Sequence, residues 1–150
     1  MRANVHLILA AAAAVAIAAR SADAQTPADP CAQVTAAQIS AALGETVGAG
    51  KQGPASTCTW SADKPTHQVV SLAFSPLGDW NKRKSHVAPG LTITPVSIGD
   101  DAIAETAGKF TTLWVKKGAT TFVVRVYGVS DPAKQLAIEK PIAQAVIARI

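Results

Sequence analysis

Apolar and polar side chains alternate in several segments of the chain. Residues 120–127 place Phe122, Val124 and Val126 on one side, and residues 67–74 show the same alternation. A period of two residues is typical of a β-strand with one buried face. The predicted strands are 56–61, 67–74, 102–106, 110–116 and 120–127, with an extended stretch at 91–98 that Pro95 restricts to a sheet edge.

Helical patterns lie on either side of these strands. Thr35 and Gln38 have the spacing of a capping box, and Gly44 ends the helix predicted for residues 35–43. Ser130-Asp131-Pro132 opens a C-terminal helix. Its predicted apolar stripe consists of Leu136, Ala143, Ile147 and Ile150, and Pro141 is expected to kink this helix or to split it into two.

Two segments leave alternatives open. Residues 45–54 are glycine-rich and are predicted to be a loop, with or without a short strand inside it. Residues 77–86 follow Ser75-Pro76 and form either a helix or an irregular basic loop, because Gly78 weakens the helical pattern.

The order of these elements predicts the fold class. Strands joined by short turns must run antiparallel. A helix, then strands, then a helix predicts a single α+β domain. It has an antiparallel sheet of about five strands, with the N-terminal and C-terminal helices packed on one face.

The start of the chain has the pattern of a secretory leader. Arg2 precedes an apolar run over residues 7–19, which is shorter than the roughly 20 residues that span a membrane as a helix. Small residues at Ala22 and Ala24 predict cleavage after Ala24. We therefore expect a signal peptide at 1–24, a flexible tether at 25–30 and a domain at 31–150 without a transmembrane segment. The mature protein would be periplasmic or secreted.

Cys31 and Cys58 are the two cysteines of the chain. An even cysteine count in an exported chain predicts a disulfide, and the C-x-x-C spacing of a redox pair is absent.

The net charge of the chain and its one basic run limit the kinds of partner that it is expected to bind. Removal of the leader would lower the formal net charge from +4 to +3, which is too weak to indicate nucleic acid. Lys82, Arg83 and Lys84 form a basic run beside Trp80. These four residues are candidates for binding an envelope protein or an anionic glycan; the alternative is a solvated segment with a partly buried Trp80.

Candidate catalytic groups are sparse. His67 and His86 lie in no nucleophile motif, so no catalytic residue is assigned. Asp79, Asp100 and Asp101 lack metal-ligand spacing, and Asp100-Asp101 after Gly99 is typical of a turn. We expect no metal and no cofactor. Trp60 and Trp114 either fill the core or line a pocket.

Several short segments carry a family resemblance. They are Cys31 before the capped helix, Ala41-Ala42-Leu43-Gly44 at its end, Cys58-Thr59-Trp60, Ser97–Ala102 and the strand pair within 113–126. Together they resemble a family of small bacterial exported proteins and lipoproteins classed as a domain of unknown function. A weaker likeness is to β-lactamase-inhibitor-like and outer-membrane-assembly lipoprotein domains, which implies function by protein contact.

These observations favour one function class. We expect an exported protein of the bacterial cell envelope that is a non-enzymatic binding or interaction module. The alternative is a small exported hydrolase whose site forms only in three dimensions.

Overall fold

The computed structural model describes residues 29–63, 66–86 and 88–150. The predicted signal peptide and most of the predicted tether lie outside the described residues. The helices are α1 (Ala36–Leu43), α2 (Leu77–Lys84) and α3 (Pro132–Ile147), and a short 3₁₀ helix spans Pro30–Ala32. The strands are β1 (Lys51–Gly53), β2 (Thr57–Ser61), β3 (Val69–Ser75), β4 (Leu91–Pro95), β5 (Asp101–Ala107), β6 (Phe110–Lys117) and β7 (Thr120–Tyr127).

The described strands form one seven-stranded antiparallel sheet in the order β1-β2-β3-β7-β6-β5-β4. The prediction of about five strands is therefore too low, although the α+β class and the antiparallel arrangement are confirmed. The glycine-rich loop contains the short strand β1. At the other edge Pro95 is the last residue of β4, where its missing N–H is tolerated on an outer strand.

The N-terminal helix begins and ends as its sequence predicts. The Thr35 side chain accepts a hydrogen bond from the Gln38 amide at 3.2 Å, and the Gln38 side chain accepts from the Thr35 amide at 2.9 Å. Gly44 has a φ of 74°, a left-handed conformation that terminates a helix at little cost for glycine. Ile39 is fully buried and anchors α1 in the main core.

One face of the sheet, which we call the covered face, carries the main core. Its strands contribute Cys58, Trp60, Val70, Leu72, Phe74, Leu113, Val115, Phe122, Val124 and Val126, each at most 5% exposed. Helix α3 packs on this face and α1 packs beside α3, with Ile39, Ile142, Ala143 and Val146 in the same cluster. The predicted placement of both terminal helices on one face is confirmed. Burying each large apolar side chain stabilises the fold by roughly 1.5–3 kcal/mol.

The opposite face of the sheet, which we call the open face, is partly covered by α2. Residues 77–84 are helical, so the basic segment is not an irregular loop. Trp80 packs with Ile103 and Trp114 in a second, smaller cluster. Since Trp60 is 1% exposed and Trp114 is 6% exposed, both rings fill core rather than line an open pocket.

The C-terminal helix differs from its prediction in two respects. It runs unbroken through Pro141, which excludes the split that was one of the two predicted outcomes. Pro141 has no N–H to pair with the carbonyl of Ala137, and Ala137 is an exposed residue. Its buried positions are Gln135, Glu139, Ile142, Ala143 and Val146, whereas Ile150 is 37% exposed. The predicted stripe is therefore wrong in part, because the true buried stripe contains two polar residues.

A disulfide joins Cys31 to Cys58, as predicted, and ties the 3₁₀ helix to β2. The glycine-rich loop packs directly against it. A Cβ on Gly50 would lie 2.7 Å from both Cys58 Sγ and Trp60 Nε1, so this position has no space for a side chain.

We predict that reducing the disulfide lowers the free energy of unfolding by roughly 3–4 kcal/mol, because the unfolded chain regains the entropy of an open loop. Urea unfolding with and without dithiothreitol measures this difference. A C31S/C58S double variant is the control, since reductant should leave its midpoint unchanged. An unchanged midpoint for the wild type in reductant would contradict the prediction.

Candidate functional site

Strands β6 and β7 diverge at one end, and we call this region the strand fork. Their ladder runs from Lys117–Thr120 to Thr112–Arg125 and stops there. Beyond it, Phe110 and Thr111 pair only with β5, while Val126 and Tyr127 pair only with β3. The fork therefore interrupts the ladder in the middle of the sheet, where backbone amides need other acceptors.

Two side chains of α3 supply those acceptors. Gln135 Oε1 accepts from the Thr111 amide, and Glu139 Oε1 accepts from the Val126 amide at 3.2 Å. The Gln135 side-chain amide also donates to the carbonyl of Val129. Residues four apart lie on one face of a helix, so Gln135 and Glu139 reach the fork side by side.

Glu139 is fully buried, and its second carboxylate oxygen has no hydrogen-bond partner among the described residues. Burial raises the pKa of this carboxyl from 4.5 to about 8. Three neighbouring groups lower this pKa, but their combined effect is smaller than that of burial: the Val126 amide, the Arg125 charge and the Leu113 amide. At neutral pH the fork therefore contains a largely protonated, uncharged acid.

A cleft of about 390 Å³ opens at the fork on the open face of the sheet. This fork cleft is lined by Glu105, Ala107, Phe110, Thr111, Thr112, Arg125, Val126 and Tyr127. Phe110 is 60% exposed and Tyr127 is 41% exposed. Two exposed aromatic rings beside one cleft are unusual in a chain with only 5% aromatic residues, and such rings are typical of binding surfaces.

Arg125 lies in the fork cleft and is held by neutral groups. Its Nε donates to Thr112 Oγ1 at 2.9 Å, and a terminal nitrogen donates to the Tyr127 hydroxyl at 3.4 Å. Among the described residues Arg125 makes no ion pair. Its position is therefore fixed while its charge is not neutralised.

The carboxylate of Glu105, by contrast, is neutralised from α2. Arg83 lies 3.4 Å from Glu105 Oε1, and its guanidinium stacks over the Trp114 ring at 4.5 Å from the centroid. The fork cleft consequently has one compensated acid and one uncompensated cation, which makes it an anion-attracting site.

The basic run predicted from sequence lies on α2, next to the fork cleft. Each of its cations faces a carboxylate: Lys82 is 3.8 Å from Asp79, and Lys84 is 2.6 Å from Asp101. A second cleft of about 310 Å³ is lined by Asp79, Lys82, Arg83 and His86. The run therefore presents little net positive charge.

Trp80, the fourth candidate, is 4% exposed and packs beneath α2. In this position it offers no ring face for stacking on a sugar or a partner protein. The sequence could not show this, because the side of the helix that meets the sheet depends on tertiary packing.

The residues of the fork were not singled out by the sequence pattern. Arg125 and Tyr127 are the outward positions of an alternating strand, where polar residues are ordinary. The available signal was Gln135 and Glu139, since polar side chains at i and i+4 on the buried side of a helix indicate partners inside the fold.

The acids considered as metal ligands have other partners. Asp100 accepts from the Gly118 amide at 2.6 Å and from Lys117 at 3.0 Å, contacts that hold the pKa of its carboxyl below 3.8. Within 29–63, 66–86 and 88–150, no group of three His, Cys, Asp or Glu side chains is placed to hold a metal ion. In the same ranges no helix is both long and apolar enough to cross a membrane.

His67 and His86 are both exposed, and neither is arranged as the general base of a catalytic pair. Within the described parts of the chain, no hydrogen bond joins either imidazole to a hydroxyl or a carboxylate. His86 lines the cleft of α2, and His67 lies in the segment before β3.

Comparisons of this chain with protein-family models, with curated proteins and with solved structures find no match. The resemblance to the exported family of unknown function therefore stays a prediction.

We predict that stability falls as the pH rises through the range in which Glu139 ionises. The folded protein keeps the proton up to a pKa of about 8, whereas the unfolded chain releases it near 4.5. The stabilisation is thus complete below pH 4.5 and is lost toward pH 8, with a limiting slope of about 1.4 kcal/mol per pH unit.

Urea unfolding of the wild type and Glu139→Gln between pH 5 and pH 9 tests this prediction. The variant retains an acceptor for the Val126 amide and should gain stability relative to the wild type as the pH rises. Glu45→Gln is the matched control, because Glu45 accepts from Thr66 Oγ1 near the surface. Parallel pH curves for the wild type and Glu139→Gln would contradict the assignment.

Proposed function

We propose that this chain is an exported, non-enzymatic binding module of the bacterial cell envelope, and that it recognises its partner at the fork cleft. The observation that carries the proposal is the combination found in that cleft. Two exposed rings, Phe110 and Tyr127, lie beside a guanidinium that is positioned by hydrogen bonds and carries an uncompensated charge.

The disulfide supports the compartment in this proposal. Disulfides persist in oxidising environments such as the periplasm and the extracellular space, and are rare in the cytosol. A Cys31–Cys58 bond that fastens the amino-terminal segment to the sheet suits a small domain outside the cytoplasm.

The fork also supports binding rather than catalysis. Glu139 is the one side chain with a strongly raised pKa among the described groups, and it is fully buried behind the backbone of Val126. A carboxyl in this position satisfies an amide of the sheet and has no access to a substrate in the fork cleft.

We expect a fragment screen followed by NMR to locate binding at this cleft. Mixtures of neutral and charged aromatic fragments are titrated into the ¹⁵N-labelled protein, expressed with its own leader. The amides of Thr111, Thr112 and Val126 should show the largest shifts. A Phe110→Ser/Tyr127→Ser double variant should lose these shifts, because both rings are exposed and their removal spares the core.

Lys82→Met is the control for that screen, since Lys82 lines the cleft of α2 and not the fork cleft. It should respond to the fragments as the wild type does. Fragment shifts that cluster around Lys82 and His86, or that scatter evenly over the sheet, would refute the fork cleft as the recognition surface.

A further inference from the structure

The free hydrogen-bonding capacity of Arg125 indicates what the fork cleft binds. A guanidinium has five N–H donors. Thr112 Oγ1 occupies Nε–H, and the Tyr127 hydroxyl occupies one N–H of a terminal nitrogen. Three N–H donors on the two terminal nitrogens therefore remain. Donors on both terminal nitrogens of a guanidinium match the two oxygens of a carboxylate in a bidentate pair.

The surroundings of Arg125 leave its charge available to such a ligand. Glu105, the acidic residue of the cleft lining, is already paired with Arg83. Glu139 lies on the covered side of the fork and is largely protonated at neutral pH. The positive charge of Arg125 is therefore not neutralised by a neighbouring acid and can attract an incoming carboxylate.

The rest of the cleft favours an apolar body next to that carboxylate. Four of its eight lining residues are apolar or aromatic: Ala107, Phe110, Val126 and Tyr127. The hydroxyl of Thr112 is already engaged by Arg125. The hydroxyl groups of a sugar acid would find few free partners here, and polar groups buried without partners weaken binding.

We propose, building on the function proposed above, that the fork cleft binds a carboxylate adjoining an aromatic or large apolar side chain, as at the carboxyl terminus of a partner protein. Arg125 donates hydrogen bonds to the carboxylate through its terminal nitrogens. Phe110 and Tyr127 contact the aromatic or apolar side chain of the ligand. Capture of a terminal carboxylate together with the last side chain is a recurring mode of peptide recognition.

The test compares two probes that differ only in charge. N-acetylphenylalanine and its uncharged amide are titrated into the ¹⁵N-labelled protein, and affinities are taken from the shifts of Thr111, Thr112 and Val126. The acid should bind at least tenfold more tightly than the amide. Equal affinities would overturn the carboxylate assignment, while leaving the fork cleft as a binding surface in the broader proposal.

Three variants show which residue produces the preference for the acid over the amide. Arg125→Met keeps most of the aliphatic stem and should make the acid and the amide bind equally. Phe110→Ala should weaken both probes by a similar factor, because this 60% exposed ring contacts the part they share. Lys82→Met should bind as the wild type does. An Arg125→Met variant that is folded by NMR and still prefers the acid would overturn the role of Arg125.

A third probe separates the protein terminus from a glycan. Glucuronate carries the same carboxylate on a polar ring and should bind at least tenfold more weakly than N-acetylphenylalanine. Tighter binding of glucuronate at the same amides would overturn the assignment to a protein terminus in favour of an acidic glycan. If no probe, charged or neutral, shifts the fork amides, the proposed function fails together with this inference.

Discussion

The buried amides at the strand fork impose the constraint on which much of this structure depends. An amide that leaves a ladder inside a fold must find another acceptor, because burying it unpaired costs about 1–3 kcal/mol. Here α3 provides that acceptor twice, through Gln135 and Glu139. The pairing fixes the rotation and the axial position of α3 on the sheet. At the same place β6 and β7 diverge, and the fork cleft lies on the other face of the sheet.

The fork links stability to recognition through the two faces of one sheet. On the covered face the fork requires the buried Glu139, whose ionisation at high pH destabilises the fold. On the open face the benefit is a gap bordered by Phe110 and Tyr127, with Arg125 held across it. A continuous β6–β7 ladder would close this gap and place flat sheet where the cleft now lies. The open face keeps the cleft because α2 covers only the neighbouring region around Trp80 and Trp114.

Much of the architecture follows from local patterns in the sequence. Helix α1 was predictable because Thr35, Gln38 and Gly44 specify its ends by their own hydrogen bonds and dihedral angles. Strands β3 and β7 were predictable because one face is buried, which enforces alternation. The short strand β1 was not, since three residues carry too little periodicity. The fork was not predictable either, because it depends on which helix faces which strand. For the same reason the sequence does not show that Trp80 is buried in the core or that Arg125 lies in the cleft. From the sequence alone, both are equally plausible surface residues.

The polar pair on α3 changes how this protein can be redesigned. Conventional core optimisation replaces buried polar residues of an amphipathic helix with leucine or isoleucine to gain apolar contacts. At positions 135 and 139 that strategy removes the acceptors of Thr111 and Val126 and leaves two sheet amides unsatisfied. A stabilised version of this fold has to keep amide or carboxyl side chains at both positions, or else reconnect β6 and β7 and give up the cleft.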